Sequence, residues 1–130
     1  MQVEIFTLCK EARDSGRAFD IIGAFDTFRV PTVPAEVPAC TIAGRIRFER
    51  IEEGDHHVRL LFMDADGRSV VPEVVSQLTV VFPEGATSVY KAFALHLSRF
   101  TLDRTGEYAV KLAVDRVLLA SIPAFCELSR

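Results

Sequence analysis

The 130-residue chain has no tryptophan and no run of 18 apolar residues, so nothing in it reads as a membrane-spanning helix. It has no C-x-x-C pair, no G-x-S-x-G elbow, no glycine-rich phosphate loop and no H-E-x-x-H, so no recognised nucleophile, nucleotide cradle or zinc helix is spelled out. Charge of one sign is scarce too: 15 basic against 18 acidic residues leave a net charge of -3, too mild for a nucleic-acid surface or an acidic tail. Glu4 interrupts the short apolar run at the start and no small-residue cleavage site follows, so no secretory signal is read. Cys9, Cys40 and Cys126 are an odd number at unrelated spacings. They are expected to be reduced and partly buried, in a cytoplasmic protein.

What is present is apolar content arranged with a period of two. Hydrophobic residues make up 49% of the chain, enough for one core and against disorder, and the length suits a single domain over 1–130. Val89, Lys91, Phe93, Leu95 and Leu97 alternate with Tyr90, Ala92, Ala94 and His96. Tyr108, Val110, Leu112 and Val114 alternate with Ala109, Lys111 and Ala113. Such alternation predicts strands with one buried face, near 2–9, 18–29, 40–51, 56–64, 76–82, 88–98, 106–115 and 117–126. A helical turn is conceivable at 8–13. Three prolines within 31–38 predict a stiff crossover between sheets.

The stretch Met63-Asp64-Ala65-Asp66-Gly67-Arg68-Ser69 offers two carboxylates and a glycine. A calcium loop counted from Asp64 fails, because Arg68, Ser69 and Val75 fall at positions five, six and twelve, where an oxygen ligand, a glycine and a carboxylate are needed. Asp-Gly between apolar runs predicts a hairpin turn instead. His56 and His57 are neighbours on a strand and so point to opposite faces, which does not make a zinc pair. No catalytic residue, cofactor or metal is therefore predicted.

The more informative segment is Arg45-Ile46-Arg47-Phe48-Glu49-Arg50-Ile51. With Ile46 and Phe48 inward, and Val58, Leu60 and Phe62 inward on the next strand, a hairpin would pair 48 with 58 and 46 with 60. That register sets Arg47 opposite Arg59, which is unfavourable unless an anion lies nearby. The anion would be an intramolecular carboxylate (Glu49, Glu4, Asp20 or Asp26), an acidic protein partner, or a phosphate or nucleic-acid ligand, in that order. Leu61 and Met63 share the outer face, so Arg45, Arg47, Arg59, Leu61 and Met63 form a candidate interaction surface. Residues 21–28 are apolar on both faces, as a central strand or a contact surface would be.

Asp103-Arg104-Thr105-Gly106-Glu107-Tyr108-Ala109-Val110 resembles the D-x-G-x-Y-x-C signature of immunoglobulin-like domains, with the aspartate one residue further off and Val110 in place of the cysteine. The resemblance implies that Tyr108 begins the penultimate strand and bonds back to upstream backbone. Val3–Cys9, Ile22–Asp26, Ile46–Phe48 and Gly106–Tyr108 also make the chain similar to a family of small stand-alone bacterial proteins of unknown function. That resemblance implies a β-sandwich and brings no activity with it. The expectation is an all-β, immunoglobulin-like antiparallel β-sandwich of about seven or eight strands, acting as a non-catalytic protein-interaction or assembly module. A protein partner or self-association is expected, without membrane or nucleic acid. The runner-up is a small-molecule or anion-binding sandwich with its ligand near Arg47 and Arg59, and an enzyme with an unrecognised site comes last.

Overall fold

The computed structural model describes residues 1–129 and is all-β among them, apart from one 3-10 turn at Arg50–Glu52. Twelve strands follow in order: β1 (Gln2–Cys9), β2 (Glu11–Asp14), β3 (Phe19–Ile22), β4 (Thr27–Val30), β5 (Ala35–Val37), β6 (Cys40–Glu49), β7 (Gly54–Met63), β8 (Val74–Val80), β9 (Ser88–Leu97), β10 (Phe100–Leu102), β11 (Gly106–Val114) and β12 (Val117–Leu128). Seven of the eight predicted runs are there within a few residues, as β1, β6, β7, β8, β9, β11 and β12. The eighth, 18–29, is not one strand. It breaks at Gly23, whose φ of 67° lies in the left-handed region that favours glycine, into β3 and β4. That break explains the doubly apolar run: Phe28 on β4 enters the core while Ile22 on β3 stays exposed. The suggested helical turn at 8–13 is also strand, split between β1 and β2.

The strands build a three-stranded sheet (β1-β6-β9), a five-stranded sheet (β4-β12-β11-β7-β8) and two small ribbons, β2-β3 and β5-β10. Pairing is antiparallel except between β4 and β12, which run parallel with Phe125 beside Thr27, so the sheets are not antiparallel throughout. Both larger sheets send their apolar faces into one core: Leu8, Ile42, Ile46 and Phe48 from one, Phe62, Val80, Val110, Leu112 and Val114 from the other. Phe62 is the hub of an aromatic cluster, with Phe100 at 5.4 Å, Tyr108 at 6.2 Å and Phe28 at 6.4 Å between ring centroids. The Phe100 and Tyr108 contacts are edge-to-face, and such pairs add about 0.5–1.5 kcal/mol each beyond the area they bury. Gly44 on β6 lies under the ring of Phe93, where a Cβ would come within 2.2 Å of ring carbon. The proline segment carries the chain from β4 in the larger sheet towards β6 in the smaller one, as a crossover should.

The expected hairpin between β6 and β7 does not form. β6 pairs with β1 and β9, placing Arg47 beside Gln2 and Tyr90, whereas β7 pairs with β11 and β8, placing Arg59 beside Ala113 and Val75. The 3-10 turn carries the chain across the core, so the two strands lie in different sheets. Alternation is blind to this choice, because Phe48 and Val58 are buried equally well by strands side by side and by strands face to face.

Candidate functional site

The Met63–Ser69 loop is a turn held by its own aspartate. Asp64 Oδ1 accepts backbone N–H bonds from Asp66 and Arg68, both at 2.9 Å, and the Gly67 N–H closes on the Asp64 carbonyl at 3.1 Å. These backbone donors, led by Arg68, hold the Asp64 carboxyl below its ordinary value. The cation beside the two carboxylates is Arg104, 2.7 Å from Asp66 and 3.5 Å from Asp64. From this turn the chain returns as β8, which pairs antiparallel with β7, so the loop does close a hairpin. Tyr108 opens β11 as the immunoglobulin-type signature implied: its hydroxyl donates to the Arg104 carbonyl at 2.6 Å. Arg104 therefore ties the Asp64 turn to the tyrosine through both ends of its residue.

His56 and His57 point to opposite faces, as neighbours on a strand must. His56 is buried, stacked near Phe48 at 5.3 Å, with Nδ1 at 2.5 Å from the Asp115 carboxylate and Nε2 at 2.6 Å from the Glu52 carbonyl. Both partners are acceptors, so the ring satisfies them only by donating from both nitrogens, as the imidazolium. Burial alone lowers the His56 pKa, but the Asp115 and Glu52 hydrogen bonds and the nearby negative charge outweigh it, and the net shift is upward. The same bond pulls Asp115 downward. Asp115 and Arg116 adopt positive φ, 51° and 67°, in the tight turn between β11 and β12, and that turn aims the carboxylate at His56. With both ring nitrogens occupied, His56 fastens the crossing turn to the β11–β12 turn and has none left for a substrate. The three cysteines are buried and free of disulfides; burial, then the nearby Cys9, pushes Cys40 up to about 11, away from thiolate chemistry.

The five residues of the predicted surface divide into two sets. Arg45 and Arg47 lie together on the outer face of the three-stranded sheet. There Glu4, on β1, receives Arg45 Nε at 2.8 Å and Arg47 Nε at 3.1 Å, while the Arg45 guanidinium stacks 3.9 Å above the Tyr90 ring from β9. Of the four carboxylates weighed for Arg47, Glu4 is the one that pairs with it, and its hydrogen bond from Arg47, opposed by burial and helped by Arg45, lowers its pKa. Arg59, Leu61 and Met63 lie on the outer face of the five-stranded sheet, and Arg59 is paired with Glu73 just before β8. Arg47 and Arg59 do not face each other. Each has its own carboxylate, so the ligand site pictured between them has no place in the fold.

Beside Arg59 lies a feature that alternation alone does not reveal. β8 ends the five-stranded sheet, pairing only with β7, and its residues Val74-Val75-Ser76-Gln77-Leu78-Thr79-Val80 include no charge and no proline. Val75 is 63% exposed next to Arg59, and Val81 beyond the strand is 64% exposed. The sequence displayed the uncharged run but not which strand would lie at an edge. Within the described residues no group of three or more His, Cys, Asp or Glu side chains is placed to hold a metal ion. No helix is long and apolar enough to cross a membrane.

Residues 4–125 match the family of unknown function DUF6941, nearly the whole of the chain described above. The chain belongs to that family. The DUF6941 match takes in most or all of every strand, the 3-10 turn and every residue of the candidate surface, and a family of unknown function assigns none of them a role. No curated protein matches the chain.

Proposed function

We propose that this DUF6941 protein is a non-catalytic assembly module that pairs with a second copy of itself along the open edge of β8. The observation that carries the reading is the seven-residue edge strand without a charge or proline. Solitary edge strands are normally blunted by lysine, proline or a bulge, because their free N–H and C=O groups template another strand. In a two-fold pairing each residue of β8 meets a residue of the same strand, and an uncharged strand has no like charges to oppose. Arg59, Leu61, Met63 and Val75 then form the mixed polar and apolar face that flanks the joint. Arg45 and Arg47, committed to Glu4 on the other sheet, contribute to the charge of the molecule and not to this contact.

The finer architecture of the proposal is immunoglobulin-like. Read in chain order, β1, β6 and β9 take the places of strands A, B and E, while β7, β8, β11 and β12 take those of C, C′, F and G. The order β1-β6-β9 against β12-β11-β7-β8 and the Tyr108 corner support that reading. A cytoplasmic setting completes it, supported by three buried cysteines outside any disulfide. Light scattering after size exclusion, over a concentration series, tests the assembly. A dimer that dissociates in the Val75→Lys/Thr79→Lys variant, with its far-ultraviolet dichroism and melting temperature kept, is the expected result. A monomer at every concentration would sink the proposal.

A further inference from the structure

Beside β4, at the opposite edge of the five-stranded sheet from β8, lies a pocket of about 630 Å³ lined in part by the proline crossover. That size falls within the range of small-ligand sites, and its composition does too: mostly apolar walls with few polar groups. The floor is made by Phe28, Val30, Val37 and Cys40, all core residues that keep 2–6% of their surface open, and Phe25 with Pro34 forms the sides. Pro31, Pro34 and Pro38 of the crossover line the pocket too, and between Pro34 and Pro38 the chain is held as β5 by its pairing with β10.

Three charged side chains stand at the rim, and two of them have partners. Arg29 pairs with Glu127 at 3.6 Å and Glu36 pairs with Arg99 at 3.5 Å. Lys10 has no ion-pair partner among the described residues, so the rim carries one uncompensated positive charge. Its place is fixed from below. The Lys10 stem runs across Gly23, where a Cβ would meet its Cγ and Cδ at 2.8 Å, and the Lys10 N–H bonds to the carbonyls of Ile22 and Gly23 at 3.0 and 3.2 Å. Gly23, at the break between β3 and β4, thereby leaves room for the lysine to lie along the backbone beside the pocket.

We propose that this pocket binds a small molecule with an apolar body and a single carboxylate, the body against Phe25, Phe28 and Val37 and the carboxylate at the Lys10 ammonium. The inference goes beyond the assembly reading, because the pocket lies apart from β8 and shares no residue with that edge. Apolar contact supplies the affinity, while a charge-assisted bond to Lys10 selects the acid over its neutral counterpart.

The chain has no tryptophan, so Phe25→Trp provides a single fluorescent reporter in the pocket wall. Sodium decanoate, kept below its micelle concentration, should shift that emission saturably, at least about tenfold more tightly than decanol, while acetate gives no shift. Lys10→Met should reduce decanoate to the affinity of decanol and leave decanol unchanged. Titration calorimetry of the native chain and of Lys10→Met with decanoate reads the same difference without the reporter, should Phe25→Trp disturb the wall. No saturable binding of decanoate by calorimetry, equal affinity for decanoate and decanol, or indifference to Lys10→Met would each overturn the proposal.

Discussion

Arginines stand on the outer faces of both large sheets, yet the two faces are differently built. On the three-stranded sheet, the strands flanking β6 supply what Arg45 and Arg47 need: Glu4 from β1 between the guanidiniums, and the Tyr90 ring from β9 beneath them, closer to Arg45. On the five-stranded sheet, the strand beside Arg59 is uncharged, with Val75 next to the arginine, and the carboxylate for Arg59 comes from Glu73, outside the strand. Equal residue types in equal alternation thus give one face closed by its own sheet and one face left with an open, uncharged edge. The neighbouring strand, not the arginine, decides which surface remains available.

The comparison can be broken most forcefully through the frame of the closed sheet. Gly44→Val drives methyl groups into the Phe93 ring, which lies opposite across β6 and β9. Overpacking of this kind costs about 2–3 kcal/mol, so the denaturant midpoint should fall clearly, and an unchanged midpoint would mean that the ring swings away freely. A smaller loss is expected from His56→Ala, about 2 kcal/mol for a buried imidazolium bonded to a carboxylate and a carbonyl. Its pH dependence has a definite sign. The raised His56 pKa gives stability that is complete below the ordinary value of 6.5 and is lost as pH rises through the folded value. The lowered Asp115 pKa gives stability that is present above the ordinary value of 3.8 and is lost as pH falls through the folded value. Chemical unfolding of the native chain from pH 6 to 9 should therefore show a declining stability, and His56→Ala should flatten that slope.

The smallest effects compare the two faces directly. Glu73→Gln removes an ion pair whose members are 43% and 33% exposed, and should change stability by no more than about 0.5 kcal/mol. Glu4→Gln leaves two arginines beside each other with no anion, and should lower the melting temperature more than Glu73→Gln does, with the gap closing in high salt. Equal shifts from the two substitutions would erase the distinction between the faces.

Much of this was legible in advance because period-two burial is a local property. β1, β7, β9 and β11 each announce themselves through residues such as Phe62, Leu95 and Val110, and the turn at Asp64 through the paired chemistry of aspartate and glycine. Tyr108 was legible for another reason, its fixed distance from Gly106. The pairing of β6 and β7 was not, since nothing in Ile46 or Phe48 says whether the partner lies alongside or across the core. β2, β5 and β10 have only three or four residues, too few for a period to show. In the sequence His56 is only the strand neighbour of His57; its bond to Asp115 joins residues 59 apart and leaves no trace in spacing. The carboxylate for Arg47 was within reach because Glu4 alternates onto the same face, whereas the pocket by Lys10 depends on Gly23 and a crossover, which sequence shows only as a glycine and three prolines.

The crossing at Arg50–Glu52 has a consequence in time. β6 and β7 emerge one after the other, but neither is the other's partner. β6 can pair at once with β1, made long before, yet its second edge stays bare until β9 arrives some forty residues later. β7 finds β8 promptly and then waits for β11. Loops must close before these distant pairings return anything, so assembly of this chain is governed by how long its middle strands stand half-paired.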